Sequence, residues 1–220
     1  MKRLVLLSAV VAALALAGAA AAALAPWTFV GTGATCPVVS TFSNGVLHLE
    51  KNCATSTNAS AGASITGLDG QTFSSGSFTL ASASQCQGGS PRFNVVTTNG
   101  TTSTTFFLGC NNVTPTTNSD GTATYTFTPA TVAAAGNQVP FPSGTIQTVD
   151  VLIDVQGTAD LSHITVNGTT EVPVPTVTGG PTSKAQCKHG GWRNFTSPSF
   201  RNQGQCVSWY EHHRSAHNGR

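Results

Sequence analysis

The most regular alternation of apolar and polar positions lies between Thr145 and Gly168. Apolar side chains recur at every second position in its first part, which is typical of a strand with one buried face. Residues 157–160 supply turn residues, and residues 161–166 predict a second strand that ends at Asn167-Gly168. The apolar positions are Val149, Val151, Ile153 and Val155, and the residues on the opposite side are Asp150, Leu152 and Asp154.

Asn44-Gly45 predicts a two-residue hairpin turn between strands at residues 38–42 and 46–51. Counting outward from this turn places Cys36 opposite Cys53, at a non-hydrogen-bonded site where side chains approach most closely. We therefore expect a Cys36–Cys53 disulfide inside the core. It shares a face with Val38, Phe42, Leu47 and Leu49.

A second hairpin is predicted at residues 92–97 and 103–109, which flank Asn99-Gly100. The same counting sets Phe93 opposite Phe106, an aromatic cross-strand pair. Cys86 and Cys110 bracket this hairpin without being directly opposed, so a bridge between them is expected from proximity alone.

The remaining segments add shorter strands. Residues 122–128 alternate apolar residues with threonines, and Pro129 ends that strand. Weaker strands are predicted at 63–68 and 73–80, and residues 130–135 predict one helical turn at the start of a long loop. Strands at short spacing, with turn signals and no convincing amphipathic helix, predict an all-β, antiparallel β-sandwich of jelly-roll-like type.

The first 25 residues predict a signal peptide. Lys2 and Arg3 form a basic start, residues 4–16 are apolar, and a run of alanines supplies small residues for cleavage. Pro26 would directly follow a cut after Ala25, so we expect cleavage earlier in the alanine run. The alternative is an uncleaved membrane anchor, because the apolar stretch is just long enough to span a bilayer. Membrane contact is expected only through this segment.

Export changes the interpretation of the cysteines, because an oxidising compartment favours disulfides. All six cysteines follow the predicted signal peptide, and the last two, Cys187 and Cys206, are expected to pair. The boundaries that follow are a β-sandwich at 26–172, a linker rich in Pro, Gly and Thr at 173–183, and a C-terminal segment at 184–220. In that segment four aromatic side chains are expected to cluster on the disulfide: Trp192, Phe195, Phe200 and Trp209.

Charge is sparse and unevenly distributed. Only 8% of residues are charged, against about 25% in an ordinary soluble domain. Residues 26–183 carry a net charge of −5, and residues 184–220 carry +5. Nucleic acid is a poor partner for this chain, because the body is acidic and no known binding motif is present.

One motif resembles a known group of proteins. Cys187-Lys188-x-Gly190-Gly191-Trp192-x-Asn194-Phe195, followed by Phe200-x-Asn202-Gln203-Gly204-x-Cys206-Val207-Ser208, resembles a C-terminal segment found in many bacterial secreted proteins of uncharacterised function. Residues 88–94, Phe107-x-Gly109-Cys110 and residues 164–168 resemble the body of the same group. The resemblance implies export and β-architecture, and it implies no activity.

The sequence shows no complete catalytic motif. It has no Gly-x-Ser-x-Gly, and the cysteines are expected to be oxidised. His48 and Glu50 lie side by side on the outer face of a strand and are acid–base candidates, as is Glu171, although solvated side chains are the plainer interpretation. Asp150 and Asp154 share a strand face but lie about 13 Å apart, too far for a glycosidase pair.

Metal binding has two candidate locations. Asp150 or Asp154 could meet a partner from a neighbouring strand, and Asp120-Gly121 offers oxygen ligands in a loop. A structural Ca²⁺ at one of these places is therefore an open alternative, although the chain is otherwise expected to need no cofactor. His213 and His217, with His212, could bind a metal if they were helical. A disordered basic terminus is the plainer interpretation, and residues after Tyr210 are expected to fray.

The C-terminal segment supplies the candidate ligand-binding residues. Aromatic rings beside arginines can stack on sugars or pair with an anionic polymer. The alternative is that these rings pack on the body or around the disulfide. The candidates are Trp192, Arg193, Arg201, Trp209 and Tyr210.

Three functions are compatible with these features. The preferred one is an exported, non-catalytic binding or cell-surface module whose ligand is a carbohydrate or cell-wall polymer. The second is a secreted hydrolase that acts on polysaccharide. The third is a surface attachment or spacer protein that uses the C-terminal segment.

Overall fold

The computed structural model describes residues 23–136, 139–170, 172–173, 177–188, 192 and 195–213. These residues form an all-β protein, an antiparallel β-sandwich followed by a small disulfide-closed C-terminal segment, as the sequence predicts. The strands of the sandwich are β1 (Ala23–Val30), β2 (Val38–Ser43), β3 (Val46–Lys51), β4 (Ala59–Thr66), β5 (Gly76–Leu80), β6 (Arg92–Thr98), β7 (Ser103–Gly109), β8 (Thr116–Thr117), β9 (Ala123–Phe127), β10 (Thr145–Ile153), β11 (Gly157–Val166), β12 (Thr169–Thr170) and β13 (Val172–Pro173). The C-terminal segment contains β14 (Val177–Thr178), β15 (Phe195–Ser197) and the helix α2 (Gln203–His213), and the helix α1 (Pro129–Ala134) follows β9.

Two sheets make up the sandwich. Sheet A has the order β13-β1-β4-β10-β6-β7, and sheet B has the order β2-β3-β11-β5-β9-β8, with β12 paired to β11. Neighbouring strands are antiparallel except for the short β1–β13 pair. The chain passes repeatedly from one sheet to the other, so most contacts in the core join residues that are distant in sequence.

Strand β10 has the alternation of apolar and polar positions that its sequence predicts. Val149, Val151 and Ile153 are buried in the core between the sheets. The prediction of a turn at 157–160 was wrong, because β11 already begins at Gly157 and pairs with β3 in sheet B. Ala159 is fully buried there, so the burial and pairing of this segment outweigh the turn preference of its residues.

The β2–β3 hairpin has the predicted register, with Phe42 opposite Leu47. Cys36 and Cys53 form a disulfide whose Cα atoms lie 5.3 Å apart. This distance is within the usual range for disulfides. Counting from Asn44-Gly45 was therefore sufficient to find this bridge.

The register predicted for the β6–β7 hairpin was wrong by two residues. Phe93 lies opposite Leu108, and Phe106 lies opposite Val95. The loop has four residues rather than two, since Thr98 pairs with Ser103 and residues 99–102 form the connection. A shift of two keeps every side chain on its predicted face, so Phe93 and Phe106 are both buried. The predicted Cys86–Cys110 disulfide is present.

Strand β1 begins inside the segment assigned to the signal peptide. Leu24 is fully buried in the core and lies opposite Ile65 of β4 and Pro173 of β13. A cut after Ala25 would remove this core residue. Among the described residues, no helix is long and apolar enough to cross a membrane.

Helix α2 continues from Gln203 to His213, so residues 211–213 are helical and not frayed, whereas the rest of the expected frayed end lies outside the described residues. The predicted Cys187–Cys206 disulfide ties the helix to the short turn at Lys184–Cys187. Strand β14, inside the predicted linker, pairs in parallel with β15. The aromatic cluster expected on the disulfide is present and contains Phe195, Phe200, Trp192 and Trp209.

Candidate functional site

The outer face of sheet A carries large aromatic side chains that the core does not cover. Phe29 on β1 is 47% exposed, and Phe107 on β7 is 53% exposed. Trp27 on β1 is partly buried and lines the same groove as Phe29. Several aromatic side chains on one sheet face, two of them in the same groove, make this face a candidate binding surface.

Trp27 is held by its neighbours on the sheet. It lies opposite Gly62 of β4, and a Cβ at Gly62 would lie 2.7 Å from Cζ2 of the indole. The ring therefore approaches the backbone at a position where only glycine leaves room. Its Nε1 donates to Oδ1 of Asp150 at 3.2 Å, and the hydroxyl of Ser64 donates to the same oxygen at 2.6 Å. The indole is thus fixed before any ligand arrives.

Arg92 lies at the centre of the same face. Its Nη1 and Nη2 each donate to one carboxylate oxygen of Asp154 at 2.6 Å, and its Nε donates to Oδ1 of Asn94 at 2.8 Å. Its guanidinium carbon lies 5.4 Å from the centre of the Phe107 ring, a cation–π distance. This arginine joins three strands of the face, because Asn94 lies on β6, Phe107 on β7 and Asp154 directly after β10.

The pKa of Asp154 reflects this environment. Burial of the carboxyl group opposes ionisation, but the hydrogen bonds and charge of Arg92, together with the charge of Lys51, hold the pKa of Asp154 below its ordinary value. Asp154 is therefore an anion at neutral pH. A glycosidase acid needs a raised pKa, so Asp154 is poorly suited to that role.

A loop forms one wall of the groove. Residues 55–58 line it, and Lys51 fixes their backbone: its Nζ donates to the carbonyl oxygens of Thr55 at 3.0 Å, Thr57 at 2.7 Å and Asp154 at 2.7 Å. Lys51 is only 1% exposed. The three hydrogen bonds offset the free-energy cost of removing its ammonium group from water.

Two depressions meet at Arg92. One, of about 490 Å³, extends from Arg92 to Trp27 and Phe29 and is bounded by the loop at 55–58. The other, of about 380 Å³, extends from Arg92 past Phe107 to Val139. Together they cross the outer face of sheet A, and we call them the sheet A groove. Planar rings beside fixed hydrogen-bonding groups can contact the apolar faces and the hydroxyl groups of sugars at once.

Asp150 on β10 and Asp154 directly after it were expected to be solvated or to meet a partner from a neighbouring strand. Both of them have such partners: Trp27 and Ser64 for Asp150, and Arg92 for Asp154. None of the three partners was visible in the sequence, because each lies on a strand distant along the chain. A signal for Trp27 was present, since Trp27 and Phe29 alternate on one face of β1, but it lies at the edge of the predicted signal peptide.

A histidine–aspartate pair lies on the opposite side of the sandwich. His48 and Asp160 face each other on β3 and β11 of sheet B, with Nδ1 of His48 2.7 Å from Oδ1 of Asp160. The other oxygen of Asp160 accepts from Nε2 of Gln85 at 2.9 Å. Burial raises the pKa of Asp160, but the hydrogen bonds from His48 and Gln85 outweigh it, and the pKa is lowered.

The other acid–base candidates are not brought together. Glu50 lies opposite Thr158 and Val39 on sheet B, and Glu171 lies outside the described residues. Sequence reasoning paired His48 with Glu50 along one strand. It missed Asp160 because the contact crosses two strands that are more than a hundred residues apart.

The C-terminal candidate residues have mainly internal contacts. Trp209 packs on Phe200, with ring centres 6.1 Å apart, and stacks on His213 at 4.1 Å. Trp192 packs against the same cluster. Arg201 is exposed and Tyr210 is partly exposed, whereas Arg193 and His217 lie outside the described residues. The two tryptophans therefore follow the packing alternative of the sequence analysis.

The described residues contain no cluster of three or more His, Cys, Asp or Glu side chains that could hold a metal ion. The carboxylate of Asp120 accepts from the backbone and the hydroxyl of Thr122, and these hydrogen bonds lower its pKa. A structural Ca²⁺ at Asp120, Asp150 or Asp154 stays a prediction.

Comparisons with known protein families, with curated proteins and with solved structures found no match for this chain. The resemblance of the C-terminal motif to bacterial secreted proteins therefore stays a prediction. What the protein binds must be inferred from the sheet A groove itself.

Proposed function

We propose that this chain is an exported, non-catalytic β-sandwich protein that binds polysaccharide, such as a cell-wall polymer, through the sheet A groove. The observation that carries the proposal is the fixed Trp27 ring, which lies beside Asp150 and in one groove with Phe29. Sugar binding needs an immobile apolar platform flanked by hydrogen-bonding groups. The hydrogen bond to Asp150 and the contact with Gly62 supply the immobility.

Export is supported by the basic and apolar start of the chain and by its three disulfides. Disulfides form and persist in oxidising compartments. A surface with few charged residues also suits a protein that works beside a polymer matrix.

Binding is tested with the purified, oxidised protein and a panel of soluble polysaccharides, by calorimetry and affinity electrophoresis. We expect at least one polysaccharide to bind. Trp27→Ala should weaken that binding about tenfold or more, equivalent to about 1.4 kcal/mol. Gly62→Ala should also weaken binding, because the new methyl group would lie 2.7 Å from Cζ2 of the indole, from Cβ of Leu152 and from the carbonyl oxygen of Val151, so the groove around Trp27 must shift. A panel with no binder would contradict the proposal.

A control locates the site. Arg201→Ala and Tyr210→Ala alter the C-terminal candidate surface and leave the groove intact, so each should bind as the unaltered protein does. Loss of binding in these variants, with Trp27→Ala unaffected, would place the ligand on the C-terminal segment instead.

A hydrolase is the second candidate, and the His48–Asp160 pair is the observation that favours it. An aspartate that orients a histidine is a recurring part of acyl-transfer sites. Within the described residues, however, no serine or cysteine nucleophile hydrogen-bonds to His48, and the pair lies on the opposite face from the groove. Release of reducing ends from the bound polymer, lost in His48→Ala, would support this candidate over the first.

A further inference from the structure

The two depressions of the sheet A groove lie along one row of paired residues. Trp27 lies opposite Gly62, Gly62 opposite Leu152, Leu152 opposite Arg92 and Arg92 opposite Gly109. The row therefore crosses five strands at right angles. Phe107 lies two residues from Gly109 on β7, on the same face, so an aromatic ring stands near each end of the row.

The length of this row exceeds a single sugar. Five strands have four spacings of about 4.8 Å, so the row measures about 19 Å from end to end. Arg92 lines both depressions, and its hydrogen bonds to Asp154 and Asn94 hold the guanidinium in place. A ligand that occupies both depressions would therefore pass Arg92.

The charge of the groove argues against an anionic ligand. Its charged lining residues are Arg92, Asp150 and Asp154, a net charge of −1. The single cation is already paired with both oxygens of Asp154. An acidic polymer would meet a lining that has more carboxylates than cations and an acidic body of net charge −5, and like charges in contact are unfavourable.

We propose that the ligand is a neutral polysaccharide that lies across the strands of sheet A, with one sugar on Trp27, another on Phe107 and the intervening sugars over Arg92. This inference rests on the proposed function and adds to it the charge class, the direction and the length of the bound segment. Phe107 acts as a second aromatic platform, separate from Trp27.

The test uses the neutral polysaccharide that binds most tightly in the panel, its oligosaccharides from two sugars to six, and a carboxymethylated form of the same polymer. We expect affinity to rise stepwise up to at least four sugars. Phe107→Ala should lower the affinity for the long oligosaccharides about tenfold and leave the affinity for the disaccharide unchanged. Val30→Ala, which removes an exposed apolar side chain outside both depressions, should bind as the unaltered protein does. Carboxymethylation should weaken binding at low salt.

The outcomes separate this inference from the proposed function. A disaccharide that binds as tightly as the longest oligosaccharide, a Phe107→Ala variant with unchanged affinity, or tighter binding of the charged polymer would each overturn the extended neutral ligand. If binding in those cases still depends on Trp27, the proposed function stands. If no polysaccharide in the panel binds at all, both proposals fail.

Discussion

The guanidinium of Arg92 and the carboxylate of Asp154 form two parallel hydrogen bonds, each 2.6 Å long, on the outer face of sheet A. Arg92 begins β6 and Asp154 follows β10, so the pair joins two neighbouring strands at the point where their ladder ends. Paired forks of this kind are more directional than a simple ion pair. The pair therefore defines both the shape and the charge of the groove centre.

This pair predicts a loss of stability in acid. The pKa of Asp154 is lower in the folded state than its ordinary value of 3.8. Its stabilisation is therefore present above the unfolded pKa and is lost as the pH falls through the folded pKa. Asp160, whose pKa is also lowered, adds to the effect. We expect the melting temperature to fall steeply below pH 4, as measured by circular dichroism.

The variant Asp154→Asn isolates the contribution of the pair. It should be less stable than the unaltered protein at pH 7, and the difference between the two should shrink as the pH falls through the lowered pKa of Asp154 in the folded state, because the carboxyl group then becomes neutral as well. If the melting temperatures of the two proteins fell in parallel with pH, the Arg92–Asp154 pair would contribute nothing to the acid sensitivity.

Lys51 should be among the most sensitive polar positions in the chain. Lys51→Met removes the donor that satisfies the carbonyls of Thr55, Thr57 and Asp154. The carbonyl oxygen of Thr57 keeps the backbone N–H of Ala59 as a donor, but all three carbonyls lose their hydrogen bond to the ammonium group, so the free energy of unfolding should fall by about 3 kcal/mol. Urea denaturation measures this change. Lys188→Met, at an exposed lysine, is the control and should stay within about 0.5 kcal/mol.

A second consequence concerns the groove. Because Lys51 holds the loop at 55–58, Lys51→Met should also weaken polysaccharide binding at a temperature where the variant is still folded. Unchanged affinity in the folded variant would show that the loop keeps its position without the lysine.

The C-terminal segment should depend on its own disulfide. The bonded cysteines are 19 positions apart, and a closed loop of this size stabilises by about 3 kcal/mol on a chain-entropy estimate. Cys187→Ser with Cys206→Ser should therefore unfold α2 and speed the cleavage by trypsin after Lys188 and Arg201, because proteases cut unfolded backbone faster than folded backbone, while the sandwich keeps its melting temperature. The matched variant, Cys36→Ser with Cys53→Ser, should lower the stability of the sandwich and leave the rate of cleavage at these two residues unchanged.

The start of β1 predicts where an exported chain is cut. Leu24 is fully buried and hydrogen-bonded strands flank it on both sides, so we expect the mature protein to begin at or before Ala23. Intact mass and N-terminal sequencing of the secreted protein measure this directly. A mature chain that begins at Pro26 would mean that the sandwich folds without the first three residues of β1.

Local patterns were sufficient for much of the fold. The alternation in β10 and β9, the turn at Asn44-Gly45 and the Cys36–Cys53 bridge all follow from the period of two in a strand and from the geometry of a short turn. The β6–β7 register shows the limit of such counting. Asn99-Gly100 fits a two-residue turn, but the loop has four residues, and only the pairing of the whole hairpin decides between them.

The C-terminal helix shows a different limit. The sequence of α2 has no apolar stripe that would distinguish it from a loop, so local propensity predicted a frayed end. The helix is instead stabilised by the disulfide at Cys206 and by the packing of Trp209 on Phe200. The partners in these two contacts, Cys187 and Phe200, lie outside the helix. The helix sequence by itself therefore does not contain the information that stabilises it.

The sequence by itself determined the all-β class, the Cys36–Cys53 disulfide and the faces of the best strands, because each depends on residues close together in the chain. Only the tertiary structure decided the candidate site. Trp27, Gly62, Asp150 and Arg92 lie on four strands that are far apart in sequence, and they meet because sheet A orders those strands side by side. A binding face made across strands has no linear motif, since its spacing is set by the distance between strands and not by the distance along the chain.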